Sequence, residues 1–290
     1  MFVVNSLLLL VAIVSHGCSR RGPAKRLAGE STGDRRNLSR MPKLGDELST
    51  EIGHVKINAV IGQGAFGKVF EGFWMEGKRK VAVKVEEIPD PEILEKFKSV
   101  AENEFEVLKA MNNTIGFPKV FAGQVEGDFK YLVMEFVGVD LMKIIERNGG
   151  QFPIEFFVNF VTQLIARIQS LHAKGFVMND LHPTNICLDT SNKIVYMIDL
   201  GLAAPYIIDG VHVGVELRLS RRTELDEVLR FILRSYDIRI GCYYRDLRGG
   251  PAAWLIPAFE YLSSLAFDQE PDYDGFKRLI LDNFVVPDEH

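Results

Sequence analysis

The spacing of hydrophobic residues changes character near the middle of the chain. Over 52–133, apolar residues form short runs typical of β-strands, with one long helical stretch among them. Over 140–284 they recur mainly at helical spacing. The pattern therefore predicts an α+β protein of two lobes. One is a small β-rich lobe with a single helix over 51–137, and the other is a larger α-helical lobe over 138–286.

The single helix of the first lobe, over 96–111, has an acid in its apolar stripe. Glu104 lies four residues after Val100 and three before Val107, so it shares their face of the helix. A carboxylate on a buried stripe needs a cation, because burying an unpaired charge costs on the order of several kcal/mol. Lys84, on a predicted strand of the same lobe, is the candidate partner.

The second lobe begins with a helix that has a wide apolar face. Phe157, Phe160, Leu164 and Ile168 lie on that face, which predicts a core helix. Trp254 and Phe259, in weaker helices further on, are interpreted as packing residues rather than ligand contacts.

A glycine-rich turn in the first lobe predicts a phosphate site. Gly62, Gly64 and Gly67 follow a strand-like run, and glycine lets the backbone approach phosphate oxygens closely. A second strand follows and ends in Lys84, whereas a dinucleotide-binding fold would begin a helix here. This order disfavours a nucleotide-dependent oxidoreductase, and an ordinary glycine-rich hairpin is the remaining structural alternative.

Composition limits the classes of partner. The chain has 290 residues, is 47% hydrophobic and has a formal net charge of −5, so it is globular and has no overall attraction for nucleic acid. Residues 20–50 form a locally basic arm without apolar periodicity, for which we expect disorder. A solvated linker is favoured over a binding arm. We expect a monomer.

The first 19 residues form an apolar leader that is too short to span a bilayer. It resembles the hydrophobic region of a signal peptide, yet no Lys or Arg precedes it. Cys18, Cys187 and Cys242 are odd in number and show no metal spacing. We expect a cytoplasmic or nuclear protein, and the leader keeps the secretory route open as the alternative.

A cluster of acid and amide residues predicts the reactive centre. Asp180 and Asn185 lie five residues apart, and Asp199 follows a predicted strand over 194–198. Phosphoryl transfer needs an acid that takes the proton of a substrate hydroxyl, together with oxygen ligands for Mg²⁺. Asp180 is the candidate base, and Asn185 and Asp199 are the candidate metal ligands. The alternative is that Asp180 and Asn185 only cap a turn.

With these motifs the chain resembles the protein kinase superfamily, and within it the casein kinase 1 group, which includes the tau-tubulin kinases. The resemblance extends over 53–284. The segments typical of the group are 104–111, 115–118, 133–138, 220–225, 260–262 and 271–273.

The resemblance implies a bilobal kinase fold, ATP and Mg²⁺ as cofactors, and transfer of the γ-phosphoryl group to Ser or Thr hydroxyls of protein substrates. It implies catalytic roles for Lys84, Glu104, Asp180 and His182. It implies nucleotide contacts from Ile61, Gly62, Gly64, Gly67, Val69, Ala82, Lys84, Met134, Glu135 and Val137. Met134 would be the gatekeeper, and Glu135 and Val137 would offer backbone groups to adenine. Arg221 and Arg222 would lie near an anion site that favours acidic or already phosphorylated substrates, with helix-terminal charge as the alternative.

Departures from the group's pattern keep a second interpretation open. Asn179 replaces the arginine that clamps a phosphorylated activation loop, and His182 replaces a lysine that contacts the transferring phosphoryl group. Glu224 stands where an aspartate normally anchors the catalytic loop. The segment between Asp199 and Ser220 is short for a substrate platform. The chain is therefore an active kinase or, alternatively, a pseudokinase that binds nucleotide or partners without useful transfer.

Overall fold

A computed structural model describes residues 41–63, 67–87, 100–126, 129–150, 156–191, 193–208, 211–212, 221–236, 253–266 and 268–284. The first lobe is built on a six-stranded antiparallel sheet in the order β1-β2-β3-β4-β6-β5. Its strands are β1 Glu47–Thr50, β2 Gly53–Gln63, β3 Gly67–Trp74, β4 Arg79–Glu87, β5 Val120–Glu126 and β6 Phe129–Glu135.

The start of this sheet corrects one expectation. Strand β1 lies inside the stretch 20–50 for which disorder was expected, and it pairs with β2 from Glu47 opposite Lys56 to Thr50 opposite Gly53. The side chain of Leu48 is fully buried in the core of the lobe. One apolar residue within a polar stretch is therefore enough to hold an edge strand on this sheet. The leader and the basic residues up to 40 lie outside the described residues.

The side chains of β4 alternate between the two faces of the sheet, and this decides the face on which Lys84 lies. Val81, Val83 and Val85 point to one face of the sheet and pack in a core with Phe70. Ala82 belongs instead to the core on the opposite face. Because side chains of a strand alternate between faces, Lys84 shares the face of Ala82.

The helix of the first lobe, α1, spans Val100–Ala110. Its residues Val107 and Leu108, with the adjoining Met111, are buried against the core that continues into the second lobe. The predicted start of this helix, before residue 100, lies outside the described residues.

The second lobe is helical, as predicted. Its helices are α2 Leu141–Arg147, α3 Phe157–Ala173, α4 Arg221–Tyr236, α5 Ile256–Ser264 and α6 Tyr273–Leu281. The predicted apolar face of α3 is buried throughout, and Trp254 and Phe259 lie in the same core, which confirms their packing role. None of the helices that the structure describes is long and apolar enough to cross a membrane.

Short strands hold the polar loops between α3 and α4. Strands β7 Val139–Asp140, β9 Ile186–Leu188 and β10 Val195–Met197 form one small sheet. Strand β8 Phe176–Val177 pairs with β11 Ala204–Pro205, and β12 Ile207–Ile208 pairs with β13 Val211–His212. The loops that contain Asp180 and Asp199 therefore lie at one edge of the second lobe, facing α1.

Candidate active site

A buried ion cluster joins the two lobes. The Nζ atom of Lys84 lies 2.6 Å from Oε2 of Glu104 and 2.5 Å from Oδ1 of Asp199. Lys84 is 9% exposed and Glu104 is 1% exposed. One ammonium thus binds a carboxylate from α1 and a carboxylate from the second lobe, which brings together three of the residues predicted from the sequence.

Burial and charge act in opposite directions on these groups. Burial alone would lower the pKa of Lys84, but the charges of Glu104 and Asp199 outweigh it and raise that pKa, so the side chain is a cation. Burial raises the pKa of Glu104, and the ammonium of Lys84 opposes this rise. The backbone of Leu200 also opposes this rise.

The backbone at Asp199 turns its side chain toward Lys84. Asp199 has a left-handed conformation, with φ 56° and ψ 59°, and it precedes a 3₁₀ turn over Leu200–Leu202. Left-handed backbone is uncommon for residues other than glycine and persists where the surroundings hold it. The ion pair with Lys84 supplies such a restraint.

The catalytic loop places Asp180 beside Asn185. The Nδ2 atom of Asn185 donates to the Asp180 carbonyl at 3.1 Å and to its Oδ2 atom at 3.0 Å. The Ile198 N–H donates to the carbonyl of Asn185 at 2.9 Å, which ties this loop to the residue before Asp199. The Asp180 side chain remains 36% exposed and open to a substrate.

His182 lies in the same cluster. Its Nε2 atom is 3.0 Å from Asn185 Nδ2 and 3.3 Å from Asp180 Oδ2, and its Nδ1 atom is 2.7 Å from the hydroxyl of Thr184. His182 therefore lies within hydrogen-bonding distance of the candidate base Asp180 and of the Asn185 amide that contacts it.

Hairpin β2–β3 and the end of β6 outline the predicted nucleotide pocket. Gly62 pairs with Val69 across the hairpin, and Ile61 precedes Gly62. A strand rather than a helix follows Gly67, as predicted, and a Cβ atom at Gly67 would overlap the carbonyl of Val85. Gly64 lies outside the described residues.

The residues predicted to surround adenine lie on adjacent strands. Ala82 of β4 stands opposite Met134 of β6, and both are buried. The N–H of Glu135 already donates to the Lys119 carbonyl at 2.8 Å, so its carbonyl is the group it can offer to a base. Val137 lies just beyond the end of β6.

A buried polar network supports the catalytic loop from below. Glu224 of α4 accepts the N–H of Met178 at 2.9 Å through Oε1 and lies 2.7 Å from His172 Nε2 through Oε2. His172 Nδ1 lies 2.7 Å from the hydroxyl of Tyr273. The glutamate therefore reaches the loop backbone although the group normally has an aspartate at this position.

Arg221 and Arg222 make structural contacts. The Arg221 guanidinium is buried, donates to the Asp268 carbonyl at 2.8 Å and lies 3.8 Å from Glu270. Arg222 donates to the Leu265 carbonyl at 2.9 Å. These contacts support the structural alternative for both residues, and the anion site stays a prediction.

Asn103 was not singled out from the sequence. Its amide donates to the carbonyls of Gly201 and Ala203, which follow Asp199 closely in the second lobe. The one sign of Asn103 in the sequence is its position directly before Glu104 on α1. Its partners are backbone carbonyls, which leave no pattern in a sequence.

Comparison with known proteins agrees with this geometry. A family model described as the protein kinase domain matches residues 55–213, more than half of the chain. The chain belongs to the protein kinase family, which confirms the bilobal α+β fold.

The resemblance to the casein kinase 1 group is confirmed as well. The chain is similar to casein kinase I homolog 1 of Schizosaccharomyces pombe, with 26% identity over 278 aligned residues that cover 78% of this chain and 60% of that protein. It is also similar to casein kinase I homolog RAG8 of Kluyveromyces lactis, with 26% identity, covering 80% of this chain and 51% of that protein. The chain thus matches about half to three fifths of the length of these relatives.

Proposed function

We propose that the protein is an ATP-dependent serine/threonine kinase of the casein kinase 1 group, which transfers the γ-phosphoryl group of Mg-ATP to Ser or Thr hydroxyls of proteins. The observation that carries the proposal is the position of Lys84, bound to both Glu104 and Asp199. Phosphoryl transfer depends mainly on positioning and on charge stabilisation, and this cluster fixes a cation and a metal-ligating acid together.

The residues next to the cluster fit a divalent metal. Asn185 contacts Asp180 through its amide nitrogen, so its Oδ1 atom would serve as an oxygen ligand. The Asp199 side chain is 45% exposed and adds a carboxylate. Hard oxygen donors of this kind suit Mg²⁺, which completes its coordination with substrate phosphates and water. When bound, the metal would neutralise charge on the phosphates.

Asp180 would act as the base. Its carboxylate accepts the proton of the substrate hydroxyl as the oxygen–phosphorus bond forms, and the bond from the γ-phosphorus to the bridging oxygen breaks so that ADP leaves. The hydrogen bond from Asn185 orients Asp180 for this step. Lys84 would hold the phosphates of the nucleotide.

A pseudokinase is the second candidate, and His182 is the observation that favours it. A lysine in this position would bring a fixed positive charge to the transferring group, whereas a histidine carries charge only when its ring is protonated. The described part of the segment after Asp199 forms a 3₁₀ turn, strand β11 and the short hairpin β12–β13, and the segment is short for a substrate platform.

The proposal includes acidic or already phosphorylated protein substrates, a monomeric kinase and a cytoplasmic or nuclear location. The location follows from the need for ATP. Secretion remains the alternative, because the leader lies outside the described residues.

A single-turnover assay tests the proposal. Purified protein with γ-labelled Mg-ATP and an acidic protein substrate should yield labelled phosphoserine or phosphothreonine. Binding of Mg-ATP without any labelled product, on acidic, phosphorylated and basic substrates alike, would overturn the kinase proposal in favour of the pseudokinase.

A further inference from the structure

The side-chain amide of Asn103 binds two backbone carbonyls of the second lobe. Its Nδ2 atom donates to the Gly201 carbonyl at 2.9 Å and to the Ala203 carbonyl at 2.7 Å. An amide nitrogen carries two hydrogens, so both are used. Both partners are carbonyl oxygens, which can only accept. Rotating the Asn103 amide by half a turn would place its own oxygen against them, so the surroundings fix the orientation of the amide.

A second side chain binds the same segment. Asn179, in the catalytic loop, donates from Nδ2 to the Leu202 carbonyl at 3.0 Å. The carbonyls of residues 201–203 are therefore each bound by a side chain from α1 or from the catalytic loop.

The segment remains fixed beyond these residues. Ala204 and Pro205 pair with Val177 and Phe176 as strand β11 against β8. The N–H of Tyr206 donates to the Gly175 carbonyl at 2.9 Å. Of these restraints, Asn103 alone comes from the first lobe, so it connects the helix to the segment.

We propose that Asn103 is a positioning residue for phosphoryl transfer: by holding the carbonyls of Gly201 and Ala203, it keeps α1 and the backbone after Asp199 in register, and thereby keeps Asp199 beside Lys84. The inference rests on the proposed function for its effect on transfer. Its structural part, that Asn103 restrains residues 200–206, does not depend on catalysis.

Two substitutions separate the amide's hydrogen bonds from helix stability. Asn103→Asp keeps the shape of the side chain but replaces the donor by a carboxylate oxygen, which repels the two carbonyls. Asn103→Ala removes the hydrogen bonds and favours the helix, because alanine has a higher helix propensity than asparagine. Glu106→Ala is the matched control, since Glu106 is exposed on the same helix.

Amide hydrogen exchange of the nucleotide-free protein is the first readout. Exchange over 200–206 should rise about tenfold or more in both Asn103 variants and stay unchanged in Glu106→Ala, while the core of α3 remains protected in all three. Unchanged exchange over 200–206 in both Asn103 variants would overturn the proposal.

Transfer and nucleotide affinity are the second readout. With saturating Mg-ATP, kcat should fall about tenfold in Asn103→Ala and further in Asn103→Asp. Affinity for ADP without metal should change less than twofold, because Asp199 contributes through the metal. Faster exchange with unchanged kcat, or an equal loss of metal-free ADP affinity, would show a merely structural role and overturn the proposal. If the parent protein transfers no phosphate, the proposed function fails, and hydrogen exchange still decides whether Asn103 holds the segment.

Discussion

The buried cluster around Lys84 and the catalytic loop around Asp180 hold their polar groups in opposite ways. Lys84 and Glu104 are almost completely buried, and full charges hold them together. Asp180 and His182 are partly exposed, and amide and hydroxyl groups hold them through hydrogen bonds. The first arrangement would fix the proposed phosphate-binding groups before nucleotide binds, and the second would leave the proposed base open to a substrate.

The difference follows from the cost of desolvation. A charge taken out of water needs a charged partner, so the buried Lys84 and Glu104 depend on each other, and the half-exposed Asp199 adds a second carboxylate to the ammonium. The loop residues keep contact with solvent, so their substitution should change the chemistry with little effect on the fold. Binding and transfer are therefore expected to respond to different substitutions.

The largest effect is expected from Lys84→Met. The change removes the cation that pairs with Glu104 and Asp199. It also removes the charge that would hold the phosphates, so transfer should fall below detection. A single-turnover assay measures this. Lys56→Met is the control, because Lys56 is exposed on β2 of the same sheet. Wild-type turnover in Lys84→Met would show that the ion cluster is not the phosphate grip.

His182→Lys should raise the rate of transfer about tenfold, because a lysine would bring positive charge to the developing negative charge of the transition state. Single donors at such positions contribute roughly 3 kcal/mol in well-studied enzymes. The rates of both proteins at saturating Mg-ATP are compared. No gain from the lysine would contradict the electrostatic explanation and indicate that the short substrate segment limits the reaction.

The network beneath the loop should matter for stability. Glu224→Ala leaves the Met178 N–H and a ring nitrogen of His172 without their partner, each at a cost of about 1–3 kcal/mol. We expect the free energy of unfolding to fall by about 2–4 kcal/mol in denaturant titrations. Glu224→Gln, which keeps an acceptor for Met178, should lose less.

Glu227→Ala on the exposed face of α4 is the matched control for these two variants. Equal stability of Glu224→Ala and Glu227→Ala would contradict the anchoring role of Glu224.

Much of the fold could be predicted because periodicity reports burial directly. The strands around Lys84, the helix with Glu104 and the core helix α3 lie where the apolar pattern indicated. Strand β1 was missed because a short edge strand needs only one buried residue, Leu48, and its polar neighbours suggested disorder.

The site could be predicted where charge imposes a partner. A buried carboxylate at Glu104 required a cation, and the pairing with Lys84 is observed. Asn103 could not be predicted, because its partners are backbone carbonyls 98 and 100 residues away, and every residue has a carbonyl. The structural contacts of Arg221 and Arg222 are missed for the same reason.

The central claim is that the loop around Asp180 serves phosphoryl transfer, while the nucleotide is held by other residues. Asp180→Asn tests this claim most directly. The affinity for Mg-ATP and the single-turnover rate are measured on the same preparations of the parent and the variant. The account predicts nearly unchanged affinity and a rate lower by about 10²-fold or more, the scale of general-base contributions. Equal losses of affinity and rate, or a parent protein that binds Mg-ATP and transfers nothing, would contradict it.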